Sequence, residues 1–255
     1  MHTRERLVAI AAITCAALIS GAEAHGQATL KGRFVYDGTP PTPEKITPTQ
    51  DAAICGKHNL VRQQLVVGKD GGLANVVLWL TTKGIAAPDA APSTPAVLDN
   101  KGCHFEPHVL LMRAGQPLEI KNSDPAGHNT KGSPKSTPEF NILIPANGSQ
   151  TVKTLTKAER QPFEVQCSIH PWMNGWILIQ DGPFAAVTDA DGRFEIKGLP
   201  EGKPLEFQLW QEKARNLKNL PVGSKKTSAF GRLPITLKSG ENDLGDIKVP
   251  ASAFK

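Results

Sequence analysis

Phe163-Glu164-Val165-Gln166-Cys167-Ser168-Ile169-His170-Pro171-Trp172-Met173-Asn174-Gly175-Trp176-Ile177-Leu178-Ile179 holds two kinds of strand and the turn between them. Phe163, Val165 and Cys167 alternate with Glu164 and Gln166, the period of a strand with one buried face, so the Cys167 sulfur is aimed inward with the core residues. Trp176 to Ile179 is continuously apolar over a strand length, as in a strand covered on both faces. Between them the spacing Cys-x2-His-x2-Met puts Cys167, His170 and Met173 within seven residues, at a turn that can bring all three side chains around one point.

The same patterns extend outward. Leu30, Phe34 and Tyr36 share a face, Leu118 and Ile120 alternate with Glu119 and Lys121, and Val76 to Leu80 is a second continuous apolar run. Helical periodicity is nearly absent, and 21 prolines and 23 glycines break the chain at short intervals, which predicts an all-β sandwich architecture. Pro40 to Pro48 and Ile85 to Pro95 read as surface loops. Composition changes near Gly182-Pro183, after which Asp189-Ala190-Asp191-Gly192 between Val187 and Phe194 predicts a tight hairpin turn. Leu205, Phe207 and Leu209, then Ile235, Leu237, Ile247 and Val249, continue the strand alternation to the end.

At the other end, Arg4 and Arg6 precede an apolar run from Leu7 to Ile19 and the small-residue site Ala22-Glu23-Ala24. This is the pattern of a signal peptide over residues 1–24, with a mature chain beginning near His25 and located in the periplasm or outside the cell. The run is shorter than the roughly 18 apolar residues a membrane-spanning helix needs, and no later stretch reaches that length, so no transmembrane segment is expected in the mature chain. Cys15 lies in the run, but Ala12-Ile13-Thr14 before it is a poor lipoprotein signal. The formal net charge is +5 with no Lys/Arg-rich block, which argues against nucleic acid as a partner. An oxidising compartment favours disulfides, and Cys55, Cys103 and Cys167 leave one cysteine over. Cys55 and Cys103 each adjoin a glycine in turn-like sequence, whereas Cys167 ends a strand; a Cys55–Cys103 disulfide and a free, metal-bound Cys167 is the economical assignment.

A thiolate, an imidazole and a thioether in one loop suit a single copper ion cycling between Cu(I) and Cu(II), and structural zinc sites do not use thioethers. A trigonal site needs a second imidazole, and His128 supplies one in Asn122-Ser123-Asp124-Pro125-Ala126-Gly127-His128-Asn129, after a strand and a polar loop. His108, at the start of the apolar run Val109 to Met112, is the alternative ligand. Met112 reads as core, and His58 and His104 as surface residues. The loop and the Asn-x-Asp-x3-His-Asn pattern together resemble the cupredoxin (type 1 blue copper) family, with a short ligand loop of the amicyanin kind.

That resemblance covers roughly residues 105 to 180 and implies a cupredoxin-like Greek-key β-sandwich, placed here over residues 25–182. It implies His128, Cys167 and His170 as equatorial ligands and Met173 as the weak axial one. It implies that Asn129 braces the loop by hydrogen bonding and that His170 is a partly exposed edge through which electrons pass. The chain is longer than a small cupredoxin and is similar to larger proteins labelled methylamine-utilisation-like. Residues 183–255 resemble a carboxypeptidase-regulatory-like β-sandwich module, on Asp189 to Ile196 followed by Leu199 to Gly202. Pro171 offers no amide hydrogen to the Cys167 sulfur, and Trp172 stands ready to shield the metal or form a docking patch. No nucleophile with a positioned base is visible, so the expectation is a non-enzymatic electron carrier serving a redox protein partner. The alternatives are a copper carrier or sequestering protein, and a structural or ligand-binding β protein.

Overall fold

A computed structural model describes residues 27–255, and the stretch read as a signal peptide lies outside them. The chain is all-β: among the described residues the helical elements are one turn of α-helix, Ala52–Cys55, and a 3-10 turn, Ala251–Phe254. No helix among them is long and apolar enough to cross a membrane.

Four of the five sheets among the described residues stack in layers; the fifth is the small hairpin Pro221–Val222 with Lys225–Lys226. In the first sandwich one sheet runs Val109–Arg113, Asn174–Gln180, Phe163–Gln166, His128–Gly132, Phe140–Ile144, and the facing sheet runs Phe105–Glu106, Ala96–Asn100, Leu118–Asn122, Ser149–Val152. Leu98, Leu118, Ile120, Ile144, Val165, Ile177 and Ile179 fill the space between them. In the second sandwich Gln27–Asp37 lies between Arg193–Pro200 and Gly240–Pro250, facing a sheet built from Ala185–Val187, Val77–Leu80, Pro204–Gln211, Arg215–Asn216 and Arg232–Thr236. Phe34, Leu78, Phe194, Phe207 and Ile247 belong to its core.

The two continuous apolar runs are the strands where the sandwiches meet. Ile177 and Ile179 point into the first core, while Trp176 and Leu178 point out of it. Val76 and Leu78 point into the second core, while Val77 and Trp79 meet Trp176, Leu178, Val109 and Trp210 at the seam. Neither run has a polar face because neither sheet has a wet one there. Trp176 and Trp210 pack edge to face with ring centroids 5.1 Å apart, and burying each indole is worth about 1.5–3 kcal/mol.

Strand pairing does not divide at residue 182. Gln27–Asp37 pairs with Arg193–Pro200 and with Gly240–Pro250, and Val77–Leu80 pairs with Pro204–Gln211, so early segments complete the second sandwich. The Asp-Gly turn also differs from the hairpin read in the sequence. Gly192 takes φ +79° and its N–H donates to Asp189 O at 3.0 Å, but the flanking strands Ala185–Val187 and Arg193–Pro200 belong to different sheets. A Cβ on Gly192 would stand 2.2 Å from the Phe34 carbonyl oxygen. The backbone of the first strand therefore presses on this turn, and the chain uses it to change layers.

Candidate metal centre

His128 opens the strand His128–Gly132, and the loop before it is shaped by Asn122. The Asn122 amide donates to the carbonyls of Ala126 (2.8 Å), Pro145 (3.0 Å) and Ile144 (3.2 Å), and its oxygen accepts the N–H of Asp124 at 3.0 Å. Cys167 follows directly on Phe163–Gln166. The loop then closes on itself: Met173 N–H donates to His170 O at 2.9 Å and Cys167 N–H to Met173 O at 3.2 Å. Asn129 ties the two segments together, because its side-chain oxygen accepts the N–H groups of Ser168 (2.7 Å) and Ile169 (3.3 Å) and lies 3.4 Å from the Cys167 sulfur.

The Cys167 sulfur stands 4.0 Å from His128 Nδ1 and 3.7 Å from His170 Nδ1, and the donor atoms of all three residues lie within 4.8 Å of one another. A metal at the centre of a trigonal plane, with bonds of about 2.0–2.3 Å, separates its ligands by roughly 3.7 Å. The residues present fit such an ion. Relative exposure is 0% for His128 and His170, 2% for Cys167 and 1% for Met173, which packs in the same apolar cluster as Cys167 and Trp172.

Each imidazole is oriented by a carboxylate. His128 Nε2 donates to Asp124 Oδ2 at 3.0 Å, and His170 Nε2 donates to Asp51 Oδ2 at 2.9 Å. A carboxylate accepts only, so each Nε2 carries a hydrogen and each Nδ1 is left facing the sulfur. Asp124 also accepts the N–H groups of Gly102 (2.6 Å) and Cys103 (2.8 Å).

Without metal, burial opposes charge on His128, but its hydrogen bonds to Asp124 and Cys167 outweigh that cost and push its pKa up to about 9. Burial raises the Cys167 thiol, yet the His128 hydrogen bond and the backbone N–H groups around it lower it overall. Burial lowers His170, only partly opposed by Asp51. Below about pH 9 a proton on His128 Nδ1 occupies the position the metal needs. Metal uptake at pH 7 is therefore expected to release protons, with apparent affinity rising with pH until it levels off near 9. Metal titrations in weakly buffered indicator dye at pH 7 and pH 9.5 check this, and equal release at both would refute it.

His108 does not join the cluster. Its Nε2 pairs with Glu212 Oε2 at 2.5 Å, and the donor atoms gathered with the Cys167 sulfur are those of His128 and His170. Nor is His170 a partly exposed edge: the segment that carries Asp51 lies over it. Asp51 takes the left-handed conformation (φ 46°) at the start of Ala52–Cys55 and spends its side chain on His170, making no side-chain cap to its own helix. The Cys55–Cys103 disulfide, Cα–Cα 5.5 Å, ties that segment down, and Cys167 is the free cysteine among the described residues. Trp172 is buried, donates to Cys103 O at 3.2 Å and meets the His170 ring edge-on at 5.1 Å, so it covers the site and offers no docking patch. Pro171 is exposed on the loop, and the His170 N–H lies 3.4 Å from the sulfur. Sequence reasoning missed Asp51 altogether. Asp124 stood in the quoted motif, four residues before His128, without a role.

No protein-family model matches the chain and no curated protein does. Among solved structures, a copper-containing nitrite reductase from Thermus scotoductus SA-01 aligns with 24% identity and a TM-score of 0.31, over 37% of this chain and 24% of that one. This chain thus spans about a quarter of the reductase's length. A Cu(I) form of an amicyanin variant aligns with 18% identity and a TM-score of 0.30, over 40% of this chain and 97% of the amicyanin. A purple cupredoxin from Nitrosopumilus maritimus aligns with 19% identity and a TM-score of 0.27, over 33% of this chain and 98% of that one.

Proposed function

We propose that this protein binds one copper ion through His128, Cys167, His170 and Met173 and carries single electrons for a redox protein partner. The observation that carries the proposal is the buried thiol with two imidazole Nδ1 atoms at 3.7 and 4.0 Å, already turned toward one point. A bound copper ion supplies one-electron cycling between Cu(I) and Cu(II), which this mixed soft and imidazole donor set suits. The chain's own contribution is to hold those donors still and dry. Asp124 and Asp51 fix the ring tautomers, Asn129 fixes the loop, and Trp172 excludes water. Four protein donors leave no ligand position for a substrate, which supports transfer over catalysis. The Asp51 side chain, 42% exposed, separates His170 from solvent by one residue, a short path for an electron. A disulfide beside a free metal-binding thiol, together with the apolar start of the sequence, supports export to an oxidising compartment.

A second reading, copper transport or sequestration, is favoured by the same burial of His170 under Asp51. One experiment separates the two. Titration of the mature protein with Cu(II) is expected to produce an intense thiolate-to-copper absorption that saturates at one equivalent, bleaches with a mild reductant and returns rapidly with an outer-sphere oxidant. Re-oxidation over many minutes with Cu(I) held tightly selects the carrier reading. A colourless protein that binds zinc with full strength would end both.

A further inference from the structure

A cavity of about 240 Å³ lies beside the centre, lined among others by Trp172, Met173, Asn174, His58, His104 and Arg62. His58 and His104 are far apart in sequence but follow the two ends of the disulfide, His104 immediately after Cys103 and His58 three residues after Cys55. The bridge makes the rings neighbours across Gly102: His104 Cε1 and His58 Nδ1 each lie 3.4 Å from the point where a Cβ on Gly102 would stand. His58 is exposed and His104 half-buried.

The local backbone prepares His104 as a ligand. Gly102 and Cys103 take consecutive left-handed conformations (φ 63° and 58°), held by the Asp124 carboxylate, and the turn puts His104 Nδ1 3.1 Å from the Gly102 carbonyl oxygen. A carbonyl only accepts, so Nδ1 carries the hydrogen and Nε2 keeps its lone pair. An outer hydrogen bond that fixes one ring nitrogen and frees the other is the usual support of a metal-binding histidine. Beyond the two rings, the cavity wall includes Met173 and Trp172, and Met173 is the thioether donor of the copper centre proposed above.

We propose that His58 and His104 form a two-imidazole copper-binding site at the mouth of this cavity, from which the ion passes to the buried centre. The inference rests on the copper reading of that centre. The step is ligand exchange: two imidazole bonds are given up as bonds to Met173, Cys167 and the buried histidines form, protons leave to water, and the oxidation state of the ion does not change.

The test uses Cu(II) and the mature protein against a H58Q/H104Q double variant. The visible band is expected to grow about tenfold more slowly in the variant, in line with the roughly 10–100-fold cost of losing a metal site's supporting group, and to reach the same final intensity. The total copper bound is expected to fall by one equivalent, with loss of an electron paramagnetic resonance signal showing imidazole nitrogen coupling. Equal band growth in both proteins would overturn the hand-over, and equal stoichiometry would overturn the outer site. Should neither protein develop the band, the buried centre and the hand-over both fall. The one-equivalent difference would then still establish the outer site.

Discussion

Cys167→Ser is expected to abolish the visible band and to weaken copper binding by more than the roughly 10–100-fold that loss of a supporting group costs, because it deletes a ligand itself. The metal-free fold should survive. The serine oxygen would sit where the thiol does, beside the Asn129 side chain, and the bonds from Ser168 and Ile169 to Asn129 do not involve the sulfur. The contrast is sharpest in stability measured with and without metal. A ligand present at about 1,000 times its Kd stabilises a folded protein by about 4 kcal/mol, so copper should raise the melting temperature of the unaltered protein by more than that of Cys167→Ser, which keeps only what binding at His58 and His104 contributes. Equal copper-induced shifts in the two proteins would place the metal elsewhere.

Much of this centre was legible in the sequence because its strongest elements are local. Cys167, His170 and Met173 share one loop, and period-two alternation from Phe163 tells which way the sulfur points. His128 needed a second motif 39 residues earlier, and His108 remained its rival because both histidines stand at the start of strand-like runs. The carboxylates that orient the rings were less accessible. Asp51 reaches His170 across 119 residues, and nothing in Asp51-Ala52-Ala53-Ile54-Cys55 distinguishes it from an ordinary helix cap. Only the fold shows that the disulfide carries this segment over the loop.

The all-β class followed from alternation and turn residues, but layer order did not. Val76 to Leu80 and Trp176 to Ile179 read as strands covered on both faces, and both are, but sequence cannot say what covers them. The cover is the other sandwich. That also explains why a composition break near Gly182-Pro183 does not coincide with a break in strand pairing: each sandwich borrows its second cover from the other, and the first strand is built into the second core.

The seam between the sandwiches contains the pair that most directly tests the rival ligand. His108 and Glu212 are each 6% exposed; Glu212 accepts from His108 Nε2 and, at 2.9 Å, from the Asn174 amide next to Met173. Burial raises the Glu212 carboxyl, but the hydrogen bond and charge of His108 lower it below its usual value. A depressed carboxyl contributes stability above its unfolded pKa, near 4.5, and loses it as pH falls through the folded value. His108→Leu leaves the carboxylate buried with its main partner gone. Removing one member of a buried pair costs about 3–5 kcal/mol, which in a chain of this size lowers the melting temperature by roughly 10 °C at pH 7. The deficit should shrink as pH falls below about 4.5 and through the depressed folded value, where the carboxyl becomes neutral in the unaltered protein as well. Replacing both residues, as His108→Leu with Glu212→Leu, should cost less than the single change, since no charge is then stranded. The copper band of His108→Leu is expected to keep its position and intensity, because Glu212 holds this imidazole away from the sulfur. A band lost in His108→Leu and retained in His128→Ala would reverse the assignment of the second imidazole; a band retained with a large fall in stability fixes His108 as the polar bond between the two sandwiches.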